Sequence, residues 1–217
     1  MDKDIIELKN LRAEFVRIFN RNKLETMTID EYSLRTGDDL SKESFCYWVE
    51  IKLRELGSMK GGTAAKFGTY FGYDRKQDSL FQRRWVSWTG ESFETIRQAL
   101  LELYDAGEAE DIETIKSSPL SPMFKGKLLS LYFPYRYLNI FTEVHLHHFL
   151  NKLSIPYKPS DDPVVLANVL SRQLQKNILT SSTLSNDMTQ KLIKFLKGRE
   201  SPKHPHVFVI APKQVRF

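Results

Sequence analysis

The spacing of apolar residues switches from a helical to an alternating period and back again in this chain, and that change limits the fold more than any other feature. From Asp4 to Phe19, Ile5, Leu8, Leu11, Phe15, Ile18 and Phe19 recur three or four positions apart, the repeat of one helix face. Phe45, Trp48, Val49, Leu53 and Leu56 share a face in the same way within "KESFCYWVEIKLRELG". Phe93, Ile96, Leu100, Leu103 and Tyr104 do so within "ESFETIRQALLELYD". Between those two segments, from Lys66 to Tyr73 and from Leu80 to Trp88, the pattern alternates and is rich in aromatics. This predicts two strands joined by the polar turn "DRKQDS". Helices on both sides of a single hairpin predict an α+β fold, mostly helical, with a small antiparallel sheet.

Shorter signals divide the rest of the chain. Thr28 and Asp30 offer cap chemistry before "EYSL", and Asp38, Asp39 and Ser41 form a second cap cluster. Gly57 and Gly107 stand where glycines end helices. "EAEDIETIKSS" reads as a short exposed helix, and Pro119 and Pro122 mark a break before "MFKGKLLSLYF". "RYLNIF" reads as a short strand, after which Thr142 caps "EVHLHHFLNKL". Pro156, Pro159 and Pro163 make "IPYKPSDDP" the best linker. The expected organisation is therefore a recognition domain over 1–155 and a helical extension over 156–217. The extension holds helices Pro163 to Lys176 and Leu184 to Lys197, then a basic tail.

Charge is moderate in sum, +5 over 217 residues, but uneven. Lys60, Lys66, Arg75, Lys76, Arg83 and Arg84 are opposed locally only by Asp74 and Asp78. The stretch Lys191 to Phe217 is also basic, whereas Glu102 to Glu113 carries acids and no base. A polyanion prefers the first two regions. No run approaches the roughly 18 apolar residues of a membrane helix, and "MDKDIIELKN" lacks the pattern of a signal peptide. Cys46 is the sole cysteine. That excludes an internal disulfide and a multi-cysteine zinc site, and it suits a cytoplasmic protein.

The segment "LGSMKGGTAAKFGTYFG" gathers Gly57, Gly61, Gly62, Gly68 and Gly72 beside Lys60 and Lys66. A P-loop needs G-x-x-x-x-G-K-[ST] between a strand and a helix. Gly57 and Gly62 have that separation, but Thr63 stands where the lysine belongs, and here a helix precedes and a strand follows. Nucleotide hydrolysis is rejected. Gly57 stops a helix and Gly61–Gly62 turns the chain. Gly68 and Gly72, inside the expected strand, predict that another backbone or a ligand comes close.

Other chemistry is thinner. Glu50-x-Lys52 fits the second half of a metal-dependent nuclease motif, but as a helix the segment pairs Glu50 with Arg54 instead. His145, His147 and His148 cluster without the i,i+4 spacing of metal ligands, and neither a metal nor a cofactor is expected. Cys46 reads as a small buried hydrophobe. The hairpin remains. Tyr70, Trp85 and Trp88 lie among Lys60, Lys66, Arg75, Lys76, Arg83 and Arg84. Aromatics of this kind stack on bases while cations meet phosphates.

Glu43 to Tyr70 also resembles a segment in the N-terminal part of McrB-like proteins, the AAA+ NTPase subunits of modification-dependent restriction systems. The matching residues are Glu55-Leu56-Gly57-Ser58-Met59, Gly61-Gly62-Thr63 and Lys66-Phe67-Gly68-Thr69-Tyr70. "LLSLYFPYRYLNIF", Leu128 to Phe141, is similar to a second pattern downstream. The resemblance implies a DNA-recognition module without the NTPase domain, working beside a restriction NTPase or nuclease subunit. The expectation is a non-enzymatic, cytoplasmic DNA-binding module of a phage-defence system. A protein-interaction or assembly domain is the alternative, and an ExK nuclease the second.

Overall fold

A computed structural model describes residues 3–34, 42–59, 63–73, 81–138, 140 and 143–180. The fold is α+β and mostly helical, with one small antiparallel sheet, as the change of period predicts. The first helix, α1 (Lys3–Ile18), buries Phe15 and the following Phe19, while Leu8, Leu11 and Ile18 pack against the core edge. A short α2 (Arg21–Thr26) is capped by Asn20. It is held to the later α5 (Phe93–Ala109) by a bidentate pair from Arg21 to Asp105, at 2.7 and 2.8 Å. At α3 (Ile29–Tyr32), Thr28 and Glu31 complete a capping box, each side chain accepting from the other residue's backbone N–H.

The stretch from Ser44 to Gly57 departs from the uniform α-helix that the periodicity predicts. Ser44 caps α4 (Phe45–Tyr47), which runs into a π-helical turn, Trp48–Lys52, and then a 3-10 turn, Arg54–Leu56. Phe45, Trp48, Val49, Leu53 and Leu56 are nevertheless all buried, so the apolar face is kept although the winding changes. Gly57 follows at φ +113°, a conformation open to glycine.

The strands are β1 (Thr69–Tyr73) and β2 (Phe81–Trp85), paired antiparallel. They are shorter than the alternation suggests. A 3-10 turn, Ala64–Phe67, occupies the expected start of β1, and another, Ser87–Thr89, follows β2. Gly68 therefore lies just before the strand rather than inside it.

Helix α5 continues through Gly107 and ends at Glu110, which takes a left-handed conformation at φ +56°. The expectation that Gly107 ends the helix is corrected by packing. A Cβ there would lie 2.5 Å from Leu129 Cδ2 and 2.7 Å from Phe133 Cε2. The glycine thus permits close approach of α5 to α7 (Pro122–Tyr132). Between them sits α6 (Ile112–Ser117), capped by Asp111. The described part of "RYLNIF" is a turn rather than a strand, since the Phe133 carbonyl accepts from the backbone of Arg136 and Tyr137.

The remaining described helices are α8 (Glu143–Lys152) and α9 (Pro163–Thr180). The main core runs from Phe15 to Tyr137, with Val164 added from α9. A second apolar cluster joins Leu146, Phe149 and Leu150 of α8 to Leu166, Ala167 and Leu170 of α9. Val144, near the start of α8, is exposed. None of the helices searched among the described residues is long and apolar enough to cross a membrane. The cap cluster Asp38, Asp39 and Ser41, the "DRKQDS" turn, Thr142, the helix from Leu184 and the tail lie outside the described residues.

Candidate nucleic-acid interface

Strand register sorts the hairpin's side chains. Thr69 pairs with Trp85, Phe71 with Arg83 and Tyr73 with Phe81, while Tyr70 pairs with Arg84 and Gly72 with Gln82. Because side chains alternate between faces, Thr69, Phe71, Arg83 and Trp85 share one face of the ribbon, and Tyr70 and Arg84 share the other.

The first face turns toward the body. Thr69 is buried, and Trp85 packs against the main core. Arg83 lies between Phe71 and Trp85, its guanidinium carbon 4.7 and 5.8 Å from the two ring centroids. The same guanidinium donates to Ser33 Oγ at 2.9 Å. Arginine stacked on aromatics and tied to a buried hydroxyl holds the ribbon to the α3 end. The other face is the outer one, where Arg84 is exposed and its cross-strand neighbour Tyr70 is half-buried. The two adjacent arginines therefore have different surroundings, which the sequence could not separate.

Three expected site residues change their setting. Lys66 is only 8% exposed, and its ammonium donates to Glu50 Oε1 at 2.5 Å and to the Met59 carbonyl at 3.3 Å. It is part of the interior and does not stand on the phosphate-facing surface expected of it. Trp88 is half-buried against the core and fills the space over Gly68. A Cβ at Gly68 would lie 2.9 Å from Trp88 Cζ2 and 3.0 Å from Ile96 Cδ1, and its φ is +79°. What lies close to Gly68 is not the other backbone or ligand that the sequence suggests but side chains of the protein's own core. Trp85 is likewise half-buried on the inner face. Lys60, Gly61, Gly62, Arg75 and Lys76 lie outside the described residues.

The ExK triplet does not form a carboxylate–lysine pair. Glu50 meets Lys66, whereas Lys52 meets Glu43 at 3.2 Å and sits 3.8 Å above the Trp48 ring. Arg54 pairs with Glu55 at 3.1 Å and leaves the expected i,i+4 partnership with Glu50 unmade. Cys46 is buried as expected, and burial pushes its thiol well above the ordinary range. His147 rests against the Tyr157 ring at 5.3 Å, 3.9 Å from Glu143 Oε1. Among the described residues no group of three or more His, Cys, Asp or Glu side chains could hold a metal ion.

Two residues near the site carry no sequence-level prediction, Lys125 and Lys127 of α7. Both are buried, at 3% and 0% exposure. Lys125 donates to the carbonyls of Ile115 and Lys116, closing the end of α6. Lys127 donates to the carbonyls of Leu53, Leu56 and Gly57 at 2.7, 2.9 and 2.9 Å. Burial pushes the Lys127 ammonium down to about 7. Each lysine donates to carbonyls where a helical segment stops, the Leu53 carbonyl accepting from the Leu56 N–H as well. The signal lay in the apolar company of "MFKGKLLSLYF": Phe124, Leu128, Leu129 and Leu131 leave that helix little polar face for its lysines.

No family model, no curated protein and no solved structure matches this chain.

Proposed function

We propose that this chain is a DNA-binding specificity module of the restriction type, meeting nucleic acid through the outer face of the β1–β2 ribbon. The observation that carries this reading is the cross-strand pair of Tyr70 and Arg84. Half-buried Tyr70 and exposed Arg84 are neighbours on the face turned from the core, an aromatic and a cation of the kinds that stack on a base and neutralise a phosphate. Arg83, bound to Ser33 and stacked on Phe71, serves as the ribbon's inner fastening. A sequence pI near 9.1 favours a polyanionic partner. The resemblance of Glu43 to Tyr70 to McrB-like N-terminal regions supports the same reading and suggests an NTPase or nuclease subunit as partner.

Titration against a panel of modified and unmodified DNA, duplex and single-stranded, over a range of salt tests this function. Binding that weakens linearly in log–log form with added salt is expected. Absence of binding to every member at low salt overturns it, and a change of oligomeric state on Arg84→Ala would favour an assembly domain instead.

A further inference from the structure

We propose that Lys127 and Lys66 are positioning residues, two buried ammonium groups that fix the chain at 50–59 and at 63–67 and so set the ribbon for its ligand. The proposal rests on the DNA-binding reading of the ribbon.

The clamp is built from backbone acceptors. The three bonds of Lys127, to the carbonyls of Leu53, Leu56 and Gly57, match the three protons of an ammonium. These carbonyls lie where a helical segment closes, and the helix dipole there favours a cation; the Leu53 carbonyl also accepts from the Leu56 N–H. Lys66, in the second of these stretches, holds the Met59 carbonyl and the Glu50 carboxylate of the first. Its own carbonyl receives Ser121 Oγ at 3.5 Å. Helix α7 therefore reaches both stretches, through Lys127 and through its N-cap residue Ser121.

Position then passes to the ribbon. The Phe67 carbonyl accepts from the buried Tyr32 hydroxyl at 2.7 Å, and the Gly68 carbonyl accepts from the Val86 N–H at 2.8 Å. The second of these closes the base of the hairpin beside Thr69 and Trp85. An apolar residue at 127 would avoid the cost of desolvating an ammonium, but it could not satisfy three carbonyls at once. The lysine fixes the place and direction of this chain end, and the outer face carrying Tyr70 and Arg84 follows from it.

The test compares the full wild-type chain with Lys127→Met in two readouts. In a salt titration with a DNA duplex, folded Lys127→Met is expected to bind about tenfold more weakly with an unchanged salt slope, because no phosphate contact is lost. In amide hydrogen exchange, Leu56, Lys66 and Gly68 are expected to open faster in the variant while the interior of α5 does not. Wild-type affinity in the folded variant, or unchanged exchange at those three amides, overturns the clamp. Should Lys127→Met fail to fold, wild-type exchange decides: protection of those amides equal to that of α7 supports it, and rapid exchange overturns it. If the wild-type chain binds no DNA, the proposed function falls while the exchange result still decides whether the clamp exists.

Discussion

Glu50 and Lys66 meet at 2.5 Å, with the lysine side chain almost wholly enclosed and the carboxylate partly open to solvent. Removing one partner leaves the other without its charge complement, and the more deeply buried ion suffers more. Glu50→Gln is therefore expected to destabilise the fold by about 3 kcal/mol. Lys66→Met is expected to cost less, because Glu50 keeps access to water. The double variant should recover part of the loss, a coupling that chemical denaturation in a double-mutant cycle reads directly. Strictly additive single-variant effects would show that the two groups do not act as a pair.

Lys127 gives the fold a pH dependence of defined sign. Burial lowers its folded-state value to about 7, whereas an unfolded lysine holds its proton to about 10.4. Between those values the unfolded chain binds more protons, so this group makes stability rise with pH across the window. Below it both states are protonated and the slope from this group vanishes. Melting temperatures of wild type and Lys127→Met, taken at matched pH, should differ by an amount that grows as pH increases through the window. A difference that stays constant would contradict the assignment.

Gly68 couples backbone conformation to core packing. Its positive φ disfavours any side chain, and a Cβ would press on Trp88 and Ile96. Gly68→Ala is expected to destabilise by about 1–3 kcal/mol, combining left-handed strain with overpacking. The check is equilibrium unfolding followed by tryptophan fluorescence, with Trp88 as a nearby reporter. A neutral substitution would mean that the ribbon base relaxes without cost.

Much of the fold was legible because apolar periodicity reports which face is buried. Phe45, Trp48, Val49, Leu53 and Leu56 are all in the core, and the aromatic alternation marks the ribbon. Winding was less legible. The π turn at Trp48–Lys52 preserves the apolar face, so the sequence pattern reads the same as for an α-helix. Gly107 misled because a glycine that permits helix–helix contact looks like one that ends a helix. Roles within the candidate site were not legible in the sequence. Lys66, Arg83 and Arg84 are equal as charges in a sequence, and only tertiary partners distinguish an interior ion pair, a stacked fastening and an exposed cation. Lys125 and Lys127 escaped notice because their acceptors are carbonyls distant in sequence, which carry no residue signature.

The central claim separates Arg84 from Arg83. Arg84→Ala removes the exposed guanidinium, whereas Arg83→Ala removes the stack on Phe71 and the bond to Ser33. The most direct measurement is the slope of log affinity against log salt for DNA binding by wild type and the two variants, with thermal stability recorded alongside. The account predicts that Arg84→Ala lowers the slope by about 0.9, one phosphate contact on a duplex. It predicts that Arg83→Ala lowers stability and leaves the slope of the folded fraction intact. A salt slope unaffected by Arg84→Ala would contradict it.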